Sequence, residues 1–236
     1  SLEQFRDIEF KEHAYHENPF VKLKIKYRRE LVTLGVNEIT AADAAQHLSP
    51  QDWHALAQQP DTVVLDVRNE YESRIGKFKH AITPDIANFR ELPAWLQQHQ
   101  ELKDKKVLVY CTGGIRCEKA SAVLKKSGVG AVYQLHGGII NYGKEIPNGL
   151  WQGSCFVFDQ RMAVPVNDPA HHQIISQCHY CSTATDTYYN CANVDCNALM
   201  LLCPSCLQTS QRLCSGEKQT VPALPNQTGR LVADVG

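Results

Sequence analysis

Three apolar runs of five residues each lie between residues 38 and 150, and helical patterns separate them. The runs occupy residues 63–67, 107–111 and 131–135 and have the composition of buried strands. Strands that are apolar on both faces and alternate with helices are typical of a parallel sheet covered on both sides. The pattern therefore predicts an α/β domain, a doubly wound parallel sheet, over residues 37–150. The intervening helices are predicted at residues 41–48, 50–59, 91–99 and 118–126.

Residues 1–36 have a different pattern. Apolar and basic side chains alternate over residues 21–28, which predicts a half-buried strand with one basic face. We expect its sheet partners to lie in a preceding part of the protein, because one strand is not stable alone. The basic face is either an ordinary lysine-protected sheet edge or a contact to RNA phosphates. Its members are Lys22, Lys24, Lys26, Arg28 and Arg29.

The ten cysteines are concentrated late in the chain, since none precedes residue 111 and eight lie within residues 155–214. Residues 1–30 contain no secretion signal, so we expect a cytoplasmic protein whose reduced thiols serve metal binding or catalysis. Residues 151–216 form a Cys-rich segment without a long periodic pattern, which predicts that a bound metal stabilises it. Residues 217–236 are predicted to be a mobile tail.

Two Cys-x2-Cys pairs with 21 residues between them match the spacing of a structural zinc site with four thiolate ligands. Free thiols, a disulfide and an iron–sulfur cluster are the alternatives. The four predicted ligands are Cys178, Cys181, Cys203 and Cys206. A possible second site comprises Cys191, Cys196 and Cys214, with His171, His172 and His179 as candidates for its fourth ligand. Cys155 stands in an apolar run and is predicted to be a core residue.

Charge and hydropathy exclude several classes of protein. Lysine and arginine total 24 against 25 acidic residues, so the chain is not one that binds nucleic acid by uniform positive charge, and no DNA partner is expected. No apolar run approaches the roughly 20 residues of a membrane span, so no membrane partner is expected. The sequence also contains no nucleotide-cofactor motif.

Cys111 directly follows a predicted strand, and a glycine-containing loop leads from it into a helix. Ligands of open parallel sheets bind beyond the carboxyl ends of the strands. Two consecutive glycines let the loop amides converge on one anion, and an arginine adds positive charge, so we expect a thiolate nucleophile of lowered pKa. The alternative is a buried structural cysteine. The loop residues are Thr112, Gly113, Gly114, Ile115 and Arg116.

Four residues separate Cys111 from Arg116, whereas a cysteine phosphatase has five, and the shorter ring suits a single sulfur atom better than a phosphate. This loop resembles that of rhodaneses, as do Leu-Asp-Val-Arg-Asn-Glu-Tyr-Glu at 65–72 and Leu-His-Gly-Gly-Ile at 135–139. The resemblance implies a persulfide on Cys111 and a buried ion pair between Asp66 and Arg68 that shapes the floor of the site. A direct catalytic role of these two residues is the alternative. Cys117 either resolves that persulfide as a disulfide or is a small buried residue.

The string Cys-Thr-Gly-Gly-Ile-Arg-Cys-Glu-Lys-Ala at 111–120 is narrower than the general rhodanese pattern. With Asn-Pro-Phe at 18–20, Arg-Glu-Leu-Val at 29–32 and Gly-Ser-Cys-Phe-Val-Phe-Asp-Gln-Arg at 153–161, it closely resembles the bacterial rhodanese-domain tRNA uridine hydroxylases. The match covers residues 8–206. It implies tRNA as partner, molecular oxygen as co-substrate and 5-hydroxylation of the wobble uridine. It also implies that residues 1–36 are the end of a ferredoxin-like or acylphosphatase-like domain.

Three hypotheses for function follow. The first is a tRNA-modifying enzyme in which Cys111 adds to the uracil ring and activates C5 towards oxygen. The second is a sulfurtransferase that passes persulfide sulfur to a thiol or protein acceptor. The third is a non-catalytic, zinc-stabilised interaction module, which predicts that Cys111 resists alkylation at neutral pH.

Overall fold

The computed structural model describes residues 30–36 and 39–214, together with residues 3, 6, 16, 18, 20, 22 and 25–28. The strands are β1 (Gln46–Leu48), β2 (Thr62–Asp66), β3 (Gly76–Phe78), β4 (Lys106–Tyr110), β5 (Ala131–Leu135), β6 (Trp151–Phe156), β7 (Ala163–Pro165), β8 (Tyr188–Asn190) and β9 (Leu199–Leu201). The α-helices are α1 (Pro50–Ala57), α2 (Glu70–Arg74), α3 (Leu92–Gln97), α4 (Ile115–Lys126), α5 (Gly138–Glu145) and α6 (Pro204–Thr209). Short 3-10 helices occupy Ala41–Asp43, Phe89–Glu91 and Gln100–Asp104.

The central sheet is parallel and has the strand order β1-β5-β4-β2. Successive residues of β4 face opposite sides: Val107 and Val109 pack into one core, and Leu108 and Tyr110 into the other. Both cores are buried and apolar, which explains why the strand is apolar at every position rather than at alternate ones. Helices α3 and α4 contribute to the first core, and α1 and α5 to the second. The predicted doubly wound α/β fold is thus confirmed.

One predicted helix is wrong. Residues 41–48 form the 3-10 helix Ala41–Asp43 followed by β1 instead of one continuous helix. The alanines give this segment a helical composition, but the backbone of residues 46–48 pairs in parallel with residues 133–135 at the sheet edge. Because helix propensity is a weak preference, the hydrogen bonds of the sheet override it.

The Cys-rich segment packs against the sheet domain through small antiparallel sheets. Strands β3, β6 and β7 form one of them, and β8 and β9 the other. Ile75, Phe156, Tyr188 and Leu201 form a buried cluster between them. The Tyr188 hydroxyl donates a hydrogen bond of 2.7 Å to the carbonyl of Tyr71 in α2. The segment is therefore attached to the helix that follows β2.

The strand predicted for residues 21–28 is not formed at residues 25–28, which have no regular structure and pair with no strand of the described chain. Ile25 and Tyr27 are 89% and 93% exposed, so neither is half-buried as predicted. A strand without a neighbour has no partner for its backbone groups. Most of residues 1–24, and the tail predicted at 217–236, lie outside the described residues. Among the residues that the structure describes, no helix is both long enough and apolar enough to cross a bilayer.

Candidate active site

Cys111 lies at the carboxyl end of β4 and is 1% exposed. The amide of Gly114 donates a hydrogen bond of 3.1 Å to its Sγ, and the amides of Arg116 and Cys117 also donate to it. Gly114 has φ +88°, a left-handed conformation that turns the loop into the first turn of α4 and that a residue with a Cβ adopts at a cost. The loop therefore curls around the sulfur, as predicted for an anion-binding turn.

The turn between β5 and α5 also holds the loop in place, through hydrogen bonds to its backbone. The amides of Ile139 and Ile140 donate to the carbonyls of Cys111 and Thr112 at 3.0 and 3.2 Å. Gly138 approaches so closely that a Cβ there would lie 2.5 Å from the Cys111 carbonyl oxygen. This contact gives a physical reason for the two glycines of the Leu-His-Gly-Gly turn, because no larger residue fits at Gly138.

The surroundings of Cys111 favour the thiolate. Burial raises the pKa of Cys111, but the Cys117 thiol, the charge of Arg116 and the loop amides together outweigh burial and lower that pKa to about 5. Burial and the neighbouring Cys111 raise the pKa of Cys117, so Cys117 keeps its proton and donates it in a hydrogen bond to the Cys111 thiolate. Cys111 is therefore largely ionised at neutral pH.

Arg116 is held by a carboxylate that the sequence reasoning did not assign to the site. Glu72 in α2 is fully buried and accepts two hydrogen bonds from the Arg116 guanidinium, at 2.5 and 2.7 Å. Glu72 also accepts the amide of Asn69 at 3.1 Å. Glu72 is the last residue of the 65–72 string that contains Asp66 and Arg68, so this string could have indicated Glu72 as a site residue.

Asp66 and Arg68 form a fully buried ion pair beneath the loop. The Arg68 guanidinium donates to both carboxylate oxygens of Asp66, with the shortest distance 2.6 Å, and to the carbonyl of Gly76 at 2.6 Å. The Tyr110 hydroxyl donates to Asp66 at 2.6 Å. Since Tyr110 immediately precedes Cys111, this network fixes the end of the strand that leads into Cys111.

A cavity of about 550 Å³ lies over the loop. Cys111, Thr112, Gly113, Ile115 and Arg116 line it from the loop, and Asn69, Tyr71, Asn88, Phe89 and Arg90 from the segments after β2. Residues 28 and 30–33 and Phe158 complete the lining. Lys119 of α4 binds the Glu30 carboxylate at 2.7 Å and the Val32 carbonyl at 2.8 Å, which anchors the N-terminal segment beside the loop. The cavity is large enough for a nucleobase.

The predicted basic residues are only partly described. Lys22, Lys26 and Arg28 are exposed, whereas Lys24 and Arg29 lie outside the described residues. Arg28 lines the cavity. Sequence reasoning did not identify Phe158 or the segment 88–90 as parts of the site, because they come from distant positions in the chain.

Both predicted cysteine sets come together. The sulfur atoms of Cys178, Cys181, Cys203 and Cys206 all lie within 4.8 Å of one another, a group that could hold a metal ion. The sulfur atoms of Cys191, Cys196 and Cys214 form a second such group, and none of the three candidate histidines belongs to either group. Cys155 is fully buried in the core.

Comparisons with known proteins agree with this geometry. The Rhodanese-like domain family matches residues 49–145, and the family described as Rhodanase C-terminal matches residues 152–218. A tRNA uridine(34) hydroxylase of Chlamydia muridarum (strain MoPn / Nigg) is 46% identical over 224 residues, which cover 93% of this chain and 68% of the relative. The protein of the same name from Chlamydia pneumoniae is 46% identical over 223 residues, covering 92% and 68%. The resemblance inferred from the loop string is confirmed: the chain belongs to the tRNA uridine(34) hydroxylase family.

Proposed function

We propose that this protein hydroxylates uridine 34 of tRNA at the 5-position of the uracil ring and that Cys111 is the catalytic nucleophile. The observation that carries the proposal is a thiolate at the floor of a cavity that has room for a base. The name shared by the relatives supports the substrate. A cytoplasmic location suits both the substrate and the unpaired thiols.

The thiolate supplies the first step. Attack of Cys111 Sγ on C6 of uracil forms an S–C6 bond, and the electron pair of the C5=C6 double bond moves to C5 and the O4 carbonyl. Carbon C5 then becomes electron-rich, which is the property that a reaction with molecular oxygen requires. The charge of Arg116 and the loop amides that hold the thiolate before attack also hold the sulfur when it leaves.

The overall reaction fixes the co-reactants. Insertion of one atom of molecular oxygen into the C5–H bond consumes two electrons and two protons and releases one water molecule. An external two-electron reductant is therefore part of the proposal. We do not assign the role of reductant to the Cys111–Cys117 pair, because the protonated Cys117 serves as a hydrogen-bond donor to the Cys111 thiolate in the resting site.

Replacement of Cys111 tests the proposal. We expect Cys111→Ser and Cys111→Ala to abolish 5-hydroxyuridine in tRNA, measured by mass spectrometry of nucleosides from a deletion strain that expresses each variant. Cys155→Ala is the control for loss of a buried thiol next to the loop, because Cys155 contacts Thr112 through its side chain but does not line the cavity, and it should restore the nucleoside. Restoration by Cys111→Ala would overturn the proposal.

A sulfurtransferase is the second candidate, because the loop of four residues between Cys111 and Arg116 suits one sulfur atom. In that case Cys111 would carry a persulfide and pass its outer sulfur to a thiol or protein acceptor. Unchanged tRNA in the deletion strain, together with thiosulfate–cyanide activity of the purified protein, would favour this candidate over hydroxylation.

We further propose that Cys178, Cys181, Cys203 and Cys206 hold a structural zinc ion. Four convergent sulfur atoms suit a tetrahedral zinc site. The amides of Cys203 and Cys206 point at the sulfur atoms of Cys178 and Cys203, at 3.4 and 3.5 Å, and such donors stabilise thiolate ligands. Cys191, Cys196 and Cys214 are proposed as a second site.

Metal analysis tests this assignment and counts the ions. We expect two equivalents of zinc if both groups bind it. Cys203→Ser should remove the equivalent of the first group, and Cys196→Ser that of the second. Full zinc content in the Cys203→Ser variant would contradict the proposed site.

A further inference from the structure

Two apolar side chains remain exposed beside the buried thiolate. Ile115 and Phe158 both line the cavity and are 49% and 45% exposed. Ile115 is the first residue of α4 and follows the nucleophile loop directly, whereas Phe158 lies two residues beyond β6. Apolar surface next to a reactive group marks a place that a ligand covers.

Phe158 is the aromatic residue of the cavity that is best placed to meet a ligand. Phe89 is buried at 6% exposure, and Tyr71 is half-buried with its hydroxyl accepting a hydrogen bond from Asn69 at 3.2 Å. The Phe158 ring packs edge-on against Phe156 with centroids 5.3 Å apart. Its exposed surface is therefore supported by a buried neighbour.

The same ring also contacts the catalytic loop. The guanidinium carbon of Arg116 lies 5.8 Å from the Phe158 ring centroid, and Arg116 is fixed by Glu72. A ring that is held by two contacts before the substrate arrives loses little conformational entropy on binding. More of the favourable interaction energy of the ring with the substrate therefore contributes to affinity. The charge of Arg28 and Arg90, both exposed and lining the same cavity, suits the phosphates of an RNA strand.

We propose that the Phe158 ring, with Ile115 beside it, is the surface on which the base of nucleotide 34 stacks, and that Arg28 and Arg90 bind the flanking phosphates. The inference rests on the proposed function. Proteins recognise single-stranded loops by stacking splayed-out bases on aromatic side chains. Stacking accepts any base, so Phe158 positions the ring and contributes affinity, while the reaction at Cys111 selects uracil.

Binding of two anticodon stem-loops tests the stacking. One loop carries uridine 34 and the other an abasic nucleotide at that position, so they differ in the base alone. Stacking of one base contributes about 1–3 kcal/mol, so we expect the protein to prefer the uridine loop by about 5- to 150-fold in fluorescence anisotropy. Phe158→Ala should remove this preference while leaving the affinity for the abasic loop unchanged.

Three further variants sharpen the result. Phe158→Tyr should keep the preference, and Phe158→Leu, which keeps the apolar volume without an aromatic face, should lose most of it. Ile174→Ala, at a residue 42% exposed outside the cavity, should behave as the unmodified protein. Arg28→Gln should weaken both loops equally and reduce the slope of log affinity against log salt by about 0.7.

The inference is overturned if Phe158→Ala or Phe158→Leu retains the full preference, or if Phe158→Ala weakens both loops to the same degree. The hydroxylation of tRNA is measured in parallel as 5-hydroxyuridine in the deletion strain that expresses the unmodified protein, where the cell supplies the reductant. If that hydroxylation occurs and the preference is absent, stacking on Phe158 is wrong and the proposed function stands. If hydroxylation itself is absent, the proposed function fails first.

Discussion

At the residue scale, a second cysteine six positions after Cys111 helps to lower the pKa of Cys111. Cys117 lies in the first turn of α4, is fully buried, and donates its proton towards the Cys111 thiolate. Of the two sequence-based interpretations of Cys117, the buried residue is the one that the structure shows. The role of a resolving thiol stays a prediction.

We predict a pH profile from this pair. Alkylation of Cys111 by iodoacetamide should increase with pH as the thiol ionises and reach a plateau above its midpoint near pH 5, because the pKa is lowered to about 5. Cys117→Ala removes one donor to a charged acceptor, a contribution of about 1.5–3 kcal/mol, so its midpoint should rise by about 1–2 pH units.

Two measurements control the alkylation profile. Mass spectrometry of the labelled peptide separates Cys111 from the exposed thiols. Cys155→Ala gives the effect of removing a different buried thiol, one that contacts the loop at Thr112. A midpoint near the ordinary cysteine value of about 8.5 in the unmodified protein would refute the thiolate assignment. An unchanged midpoint in Cys117→Ala would refute the role of Cys117 alone.

The place of Cys111 in a loop between a strand and a helix could be predicted from sequence, but its surroundings could be predicted only in part. Cys111 is identified by local features, a strand followed by glycines and an arginine, because the loop is built from consecutive residues. Glu72 and Phe158 reach the site from 39 residues before and 47 residues after Cys111 in the numbering. No local pattern states which distant residue packs there.

At the scale of elements, the short helix α2 connects the segment after β2 with the loop between Cys111 and α4. Glu72 on its buried side binds Arg116, while Glu70 on its exposed side binds Arg74. Asn69 caps the helix with its amide bound to Glu72. The helix thus places the Glu72 carboxylate against the loop that follows Cys111, although Glu72 and Thr112 are 40 positions apart in sequence.

Replacement of the two glutamates should separate their contributions. Glu72→Gln leaves the Arg116 charge buried without its counter-ion and should lower the free energy of unfolding by about 3–5 kcal/mol. Glu70→Gln makes the same chemical change in an ion pair whose side chains are 45% and 51% exposed, and should cost about 0–1 kcal/mol. Urea unfolding followed by tryptophan fluorescence measures both. Equal losses would show that the buried pair contributes no more than the exposed one.

The elements themselves show where sequence patterns suffice. The bounds of the three buried strands were predicted to within one residue. Their side chains pack into an apolar core on each face of the sheet, so the strands themselves are continuous apolar runs. The prediction for segment 41–48 was wrong because its structure depends on pairing with the edge of β5, whose partner residues lie 87 positions further along the chain. Local composition cannot contain that information.

At the scale of the whole molecule, the Cys-rich segment supports the cavity from outside. Tyr188 of β8 binds the Tyr71 carbonyl, and the Tyr71 ring packs against Phe156, which in turn supports Phe158. The sulfur groups lie in the same segment as β8 and β9, and Met200 and Leu202 pack around Cys178 and Cys203. A metal that orders this segment therefore also orders one wall of the cavity.

Metal removal should affect this wall of the cavity but not the loop around Cys111. If the proposed zinc ions are bound, treatment with a zinc chelator should make residues 176–214 sensitive to protease, because a segment with so small a core gains folding energy from a metal. The loop around Cys111 is held by α4, α2 and the Gly138 turn, so its alkylation midpoint should stay near pH 5.

The affinity for tRNA should fall in the same sample, because Tyr71 and Phe158 lose their support. Restoring zinc should recover both protease resistance and affinity, and the Cys203→Ser variant should resemble the chelated protein without added chelator. If tRNA affinity is unchanged after residues 176–214 have become protease-sensitive, the Cys-rich segment stabilises only itself, and the cavity wall is held by the contacts of β6 with β3 and β7.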